Sequence, residues 1–327
     1  MPGESRNNAL SPRLVYCIIV TYNGLTWIAK CLDSLAQGSY PCPVLVIDNG
    51  STDGTLAYIE ENFPHIRLIR SEKNMGFGQA NNIGLKMALE EGAEHVFLLN
   101  QDAWVEVDTI RDLVAAQVEN PQFGILSPLH LNGLANALDS YFAGYLMQSD
   151  LKEWTSSWLL GWPEHPLIVD THFVNAAAWL ISAGCLRRTG GFDPIFFHYG
   201  EDLNYAQRVL FHGFRIGIHT GARICHDREQ RIASLPSPAA QLKKDRNHFL
   251  NQACDIRQDG FMALSIRRSV RYSLLMSINL FNTQKLTYNF QMARAALALI
   301  PSIRKSRRSA VGKFPFLKMG NDPSARA

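Results

Sequence analysis

The chain has 327 residues, 46% hydrophobic and 19% charged, which is enough apolar material for a sizeable core and too much for a disordered chain. Its 23 Gly and 15 Pro exclude collagen-like and low-complexity sequences. The net charge of +3 hides a split: residues 1–260 carry 20 Lys+Arg against 28 Asp+Glu, and residues 261–327 carry 12 Lys+Arg against a single acid, Asp322.

Residues 1–13 are polar and predict no secretory leader, and no apolar run reaches the ~18 residues of a spanning helix. Val15–Thr21 (VYCIIVT) reads as a buried parallel strand. Residues 25–35 show helical spacing of Ile28, Leu32 and Leu35, and Val44–Asp48 (VLVID) is the next strand. A helix over Thr55–Asn62, a strand over 66–70, a helix over 78–91, a strand over 95–99 and a helix over 107–119 follow. This alternation predicts an α/β chain with a doubly wound, mostly parallel sheet, whose ligand site lies at the carboxyl ends of the strands. From about 124 to 168 the pattern weakens, and Trp154, Trp158 and Trp162 predict an irregular, acceptor-side loop. Residues 173–183 are apolar, Glu201-Asp202 opens a helix, and 216–219 and 222–225 read as two strands. Beyond Leu242 the chain is helical and basic. The cysteines (17, 31, 42, 185, 225 and 254) form no C-x-x-C pair, and three lie in apolar stretches, which points to a reducing, cytoplasmic compartment.

Several polar clusters sit at predicted strand ends. Asp48 precedes the turn Asn49–Gly54, where a carboxylate can accept the N–H of a pyrimidine base, although a plain helix-capping turn has the same look. Gly76 and Gly78 precede a helix with Asn81 in it, a place where backbone N–H groups can face a phosphate; the dinucleotide-binding spacing is absent, and an ordinary loop-to-helix junction fits equally. Asn100-Gln101-Asp102 ends a strand, and Asp102 there can hold a divalent cation that also grips a diphosphate, or merely cap a helix. Glu201-Asp202 follows an aromatic stretch, and neighbouring carboxylates in that setting separate their pKa values, which suits one to general-base work, although acids at a helix start also merely complement its dipole. His226, beside Asp227, gains weight only if it converges with Asp102 on one ion.

Taken in order, IIVTYNG (18–24), VIDNGSTDGT (46–55), NMGFGQANNIG (74–84), LLNQDAWV (98–105), GGFDPIFFHYGEDLNYAQR (190–208) and ICHD (224–227) resemble the family 2 glycosyltransferases of the GT-A fold, in their rhamnosyltransferase-like branch. The resemblance spans about residues 15–247. It implies that Thr21, Tyr22 and Asp48 hold the nucleotide's base and that Gly76, Gly78 and Asn81 line the nucleotide, with Asn100 and Gln101 beside them. It further implies that Asp102 and His226 hold Mg²⁺ or Mn²⁺, and that Asp202 is the general base with Glu201 its acidic neighbour. Two positions depart from the pattern: Asn100 stands at the first acid of the D-x-D motif, and Asn204 at the second acidic place of E-D-x-D.

The expected activity is inverting transfer from a nucleotide-diphospho-sugar, dTDP-rhamnose or a UDP-sugar, to a glycan or lipid-linked glycan of a bacterial cell surface. The alternative is a non-catalytic nucleotide-sugar-binding or scaffold subunit, to which Asn100 and Asn204 lend a little support. A sugar-nucleotide pyrophosphorylase would want a Gly-rich, basic loop after the first strand, and TYNGLT offers neither. The expected organisation is a disordered segment 1–12, a catalytic domain 13–255 and a basic amphipathic helical region 256–327. Arginines 267, 268 and 271 interleaved with Val270, Leu274, Leu275 and Ile278 predict that residues 261–327 meet an anionic membrane surface, the protein lying peripherally at its inner face, although a helical appendage packed on the catalytic domain has the same look. Nucleic acid is not an expected partner, because aromatics are not interleaved with the basic residues.

Overall fold

The first strand sets the architecture. In β1 (Val15–Thr21) Val15, Cys17 and Ile19 join one apolar cluster while Tyr16 and Ile18 join another, as successive strand residues must when both faces of a sheet are covered. In the computed structural model, which describes residues 13–147, 151–162, 165–228, 237–317 and 319, helices cover both faces. The expected segment 1–12 lies outside the described residues, as do the last residues of the basic region.

After β1 come α1 (Ile28–Ala36), β2 (Val44–Asp48), α2 (Thr55–Asn62), β3 (Arg67–Arg70), α3 (Phe77–Glu90) and β4 (His95–Asn100). Then follow β5 (Ala103–Val105), α4 (Thr109–Glu119), β6 (Phe123–Asn132), α5 (Ser140–Leu146), α6 (Lys152–Leu159), β7 (Ile168–Thr171) and β8 (Ala178–Ser182). The chain continues through α7 (Ala183–Thr189), α8 (Glu201–Phe211), β9 (Arg215–His226), α9 (Pro238–Cys254), α10 (Phe261–Ile278), α11 (Thr283–Ala298) and α12 (Ile300–Ala310). The strand order is β3-β2-β1-β4-β8-β6-β9-β5, with β7 also on β9. Strands β3, β2, β1 and β4 are parallel, and so are β6 and β9, while β8 enters antiparallel between β4 and β6. Helices α1, α2 and α4 pack one face, and α3, α7 and α8 the other.

Two expectations are corrected. The stretch 124–168 is mostly regular: it holds β6, α5, α6 and the start of β7, with Trp154 and Trp158 stacked on α6. Pro128 obscured β6, because proline cannot donate to a ladder; here it sits at a register shift, where that loss is tolerated. The two strands expected over 216–225 are one strand, β9. His219 pairs with Pro128 and Arg223 with Leu129, so residues 220–222 bulge without ending the strand.

The C-terminal helices pack on the segment 191–196 and on α8. Phe249, Leu250, Ala253 and Cys254 of α9 form a small core with Phe196, Ala296 and Ile303. Ser306 of α12 donates to the buried Asp193, and Gly191 N–H donates to Pro315 O (2.8 Å). No described helix is long and apolar enough to cross a membrane.

Candidate active site

Strand register collects the candidate residues at one edge. Thr21 and Asp48 are neighbours across β1 and β2, Val20 faces Asn100 across β1 and β4, and Ala103 faces His226 across β5 and β9. Thr21 Oγ1 donates to Gln101 Oε1 (2.6 Å), which also accepts from Tyr22 N–H (2.9 Å), while Gln101 Nε2 donates to Tyr22 O (3.2 Å). Gln101 thereby ties the end of β1 to the end of β4. The Tyr22 side chain stays exposed.

Asp48 is fully buried, and its carboxylate accepts from Gly50 N–H (3.1 Å) and Ser51 N–H (3.1 Å). In this structure it shapes the turn after β2. Asn49 carries the connection onward: its amide donates to Asn74 Oδ1 (3.0 Å) and its carbonyl accepts from Met75 N–H (2.8 Å).

Gly76 and Gly78 have a packing reason to be glycine. Gly76 lies at φ +84°, and a side chain there would run into the Phe197 carbonyl; a Cβ at Gly78 would stand 2.7 Å from that of Phe192. Both glycines therefore admit the segment that leads to Glu201-Asp202. Asn82 pins the same segment through both of its amide atoms, accepting from Phe192 N–H (2.7 Å) and donating to Phe192 O (2.8 Å). Asn81, buried in α3, bonds back to Phe77 O (3.0 Å).

Asp102 and His226, both buried, meet with Oδ1 3.3 Å from Nε2. The contact is fixed by backbone, since Asp227 N–H donates to Asp102 O (2.8 Å) beside the β5–β9 ladder. Behind His226 lies Asp139, its Oδ2 3.9 Å from Nδ1. Asp139 caps α5 through Phe142 N–H (2.8 Å) and takes both Nε (2.6 Å to Oδ2) and a terminal nitrogen of Arg228. Burial pushes the Asp139 carboxyl up, but Arg228 and the Phe142 amide outweigh it and hold the group below the usual range. His130, stacked on Phe142, is kept well below the ordinary histidine range by burial and then by His226. It therefore stays neutral.

A single carboxylate and a single imidazole are a suitable pair for Mg²⁺ or Mn²⁺. Asp102 Oδ1 and His226 Nε2, 3.3 Å apart, are close enough that both would hold the same ion. No group of three or more acidic, Cys or His side chains suited to a metal occurs among the described residues, so the other ligands would come from water and a diphosphate. Half-buried Asn100, at the end of β4, binds Ala177 O through its backbone N–H (2.9 Å).

Glu201 and Asp202 open α8 after Tyr199 and Gly200, at φ +68° and +96°. Asn247 of α9 holds that turn, donating to the carbonyls of His198 (2.9 Å) and Tyr199 (2.7 Å). Burial raises the Asp202 carboxyl above its ordinary range, against the pull of the Leu203 and Ala176 amides and of Arg228. Burial, and then the charge of Asp202, lift Glu201 to about 7, and its Oε2 has no hydrogen-bond partner. Asp202 accepts from the Ala176 amide and feels the charge of Arg228, the same arginine that Asp139 holds behind His226. Asn204 has a structural duty where the motif has an acid: its Oδ1 accepts from Arg208 Nε (3.0 Å).

Sequence reasoning missed Asp139, Arg228, Asn49, Asn82 and Asn247. Asp139 carried a signal, an N-cap before an apolar helix, within the stretch read as irregular. Arg228 directly follows the H-D pair. The asparagines act through contacts far apart in the chain.

Residues 16–130 match the family model for Glycosyl transferase family 2. An N-acetylglucosaminyl-diphospho-decaprenol L-rhamnosyltransferase of Mycobacterium tuberculosis is 25% identical over 89% of this chain and 94% of its own. A dTDP-rhamnosyl transferase, RfbF, of Shigella flexneri is 24% identical over 89% and 95%. Among solved structures, the mannosyltransferase PcManGT of Pyrobaculum calidifontis with GDP-Man and Mn²⁺ superposes at a TM-score of 0.57 and 19% identity, covering 91% of this chain and 84% of that one. TarS of Staphylococcus aureus with UDP gives 0.52 and 17%, covering 93% and 90%. Residues 16–130 thus match the model of Glycosyl transferase family 2, and the chain has the GT-A fold of these solved structures.

Proposed function

We propose that the chain transfers L-rhamnose from dTDP-rhamnose, with inversion, to a lipid-linked glycan acceptor in the synthesis of a bacterial cell-surface polysaccharide. The observation that carries this reading is the meeting of Asp102 and His226, next to Gln101, which binds the end of the strand carrying Thr21 beside Asp48; the charge of Arg228 felt by Asp202 supports placing the acidic turn near them. The rhamnosyl and decaprenol-linked chemistry in the names of two relatives of nearly full length supports the donor and the acceptor. Residues 13–255 form the catalytic unit in this reading.

Thr21, Tyr22, Asp48 and Gln101 border the donor's base, and the loop through Gly76 and Gly78 borders the nucleotide beside Asn81 and Asn100. Asp102 and His226 would hold Mg²⁺ or Mn²⁺, which when bound neutralises charge growing on the departing diphosphate. Asp202 accepts the proton of the acceptor hydroxyl, whose oxygen attacks the anomeric carbon from the face opposite the leaving group. Burial raises the proton affinity of Asp202, which suits a base. Glu201, with its pKa near 7, shares the acidic turn and limits the charge there. The protein would act at the inner face of the cell membrane.

Replacing Asp202 by Asn tests this assignment. Loss of the base should lower transfer by about 10²–10⁴-fold while donor binding, read by isothermal titration, stays within about twofold. Transfer at the wild-type rate would remove Asp202 from the role; loss of donor binding would assign it to the donor site instead.

A further inference from the structure

Among the described residues, the exposed apolar side chains of the C-terminal region concentrate on α10 and the turn after it. Met262, Ile266, Val270, Leu274 and Ile278 recur every four residues and are 44–76% exposed; Leu280 and Phe281 follow, the latter fully exposed. Spacing by four makes each side chain the neighbour of the next, in a row that winds about 40° around the helix per step. Ile266, Val270, Leu274 and Leu275, with Arg267 and Arg271, line a groove, and the same two arginines border a second one with Arg268, His248, Gln252 and Leu264. Basic and apolar surfaces are thus continuous.

The basic residues of this region divide into two sets. Arg307 of α12 spends its guanidinium on the carbonyls of Ala253 (3.1 Å), Asp255 (2.6 Å) and Gln258 (2.6 Å), so it holds α9 and the α9–α10 connection. Arg267 and Arg271 are exposed beside the apolar stripe. α10 contains no acidic residue. An apolar stripe edged by arginines, on a helix not apolar enough to span, matches the interface of an anionic bilayer, with hydrocarbon below and phosphates level with the cations.

We propose that α10 and the turn at Leu280-Phe281 form a docking surface for an anionic phospholipid bilayer, with Phe281 and the stripe from Ile266 to Ile278 in the acyl boundary and Arg267 and Arg271 at the headgroup phosphates. The surface deepens the reading of a lipid-linked acceptor, on which it rests for its purpose though not for its test. It is joined to the candidate base through α9. Arg268 packs over the Phe249 ring (5.2 Å) and donates to Gln252 (3.2 Å), and Asn247, five residues before Gln252, clamps the turn ahead of Glu201-Asp202. Five helical residues advance only about 8 Å, so the helix that carries Gln252 also carries the clamp on the acidic turn.

The full chain should pellet with phosphatidylcholine vesicles containing phosphatidylglycerol, and far less with phosphatidylcholine alone. Arg267→Gln with Arg271→Gln should reduce partitioning roughly 30-fold, about 1 kcal/mol for each cation near the surface. Ile278→Ser with Phe281→Ser should reduce it at least about tenfold, and their exposure keeps folding intact, as unchanged thermal unfolding would verify. Variants that pellet like wild type overturn the docking surface, as does a sedimentation-velocity result in which these substitutions dissolve a dimer without affecting pelleting. Transfer to a detergent-solubilised acceptor separates the two readings. If docking fails and transfer persists, only the surface is wrong; if wild type docks and transfers nothing, only the proposed function is wrong.

Discussion

Glu201 should make the protein less stable as pH rises from 4.5 to 7, and Glu201→Gln should remove that dependence. The residue is 4% exposed, one of its carboxylate oxygens has no hydrogen-bond partner among the described residues, and burial followed by Asp202 lifts its pKa from an ordinary 4.5 to about 7. Below pH 4.5 it is protonated in both folded and unfolded chains and carries no penalty. Between 4.5 and 7 the unfolded chain releases the proton while the folded chain retains it, so the raised pKa costs stability progressively as pH rises. Above 7 both states are ionised and the loss levels off at about 3 kcal/mol, at 1.36 kcal/mol per pH unit. Glutamine keeps the shape and never ionises, so the variant should match wild type near pH 4 and exceed it by about 3 kcal/mol at pH 8. Urea unfolding of both proteins across this range measures the difference and cancels other titrating groups. A difference that does not change with pH, or a Gln variant less stable at pH 8, would refute the reasoning.

Gly76→Ala should destabilise by at least about 3 kcal/mol, because it combines a positive φ with a clash against the Phe197 backbone, and the displaced turn should lower transfer as well; an unchanged melting curve would contradict this. Arg208→Met should cost at least about 3 kcal/mol in denaturant unfolding, since it strips hydrogen bonds from the carbonyls of Thr189 (2.5 Å) and Gly191 (2.7 Å) and from Asn204 (3.0 Å), all in the interior. Chelation with EDTA should abolish transfer and added Mn²⁺ restore it, with Asp102→Asn raising the Mn²⁺ needed for half-maximal rate roughly tenfold or more; full activity in EDTA would count against a metal on the Asp102–His226 pair.

Much of the frame was legible from local pattern. Burial on both faces makes β1, β2 and β4 nearly continuous apolar runs, and helices on both faces follow from apolar residues at helical spacing, so the first half of the sheet was readable from Val15 to Asn100. The polar clusters that end those strands were readable for the same reason, because strand ends in an open sheet share one rim. What failed locally was β6, where Pro128 and the polar His130 and Asn132 break the run, and β9, where Thr220-Gly221 reads as a stop. Neighbouring strands override both signals, since a bulge absorbs what a ladder cannot.

The candidate site divides along the same line. The chain alone determined which residue types stand where: Asp102, His226, Asp202 and the glycines at 76 and 78. Only tertiary structure decided what each does to its neighbours. It set Asp102 against His226 across 124 positions, assigned Gly76 and Gly78 to admit the segment at Phe192 and Phe197, and gave Asn204 to Arg208. It also placed Asp139 and Arg228 behind His226 and divided the tail's arginines, with Arg307 turned inward and Arg267 and Arg271 outward. The physical reason is range: propensity and periodicity act over a few residues, whereas hydrogen bonding, desolvation and charge act between groups that only the folded chain makes neighbours.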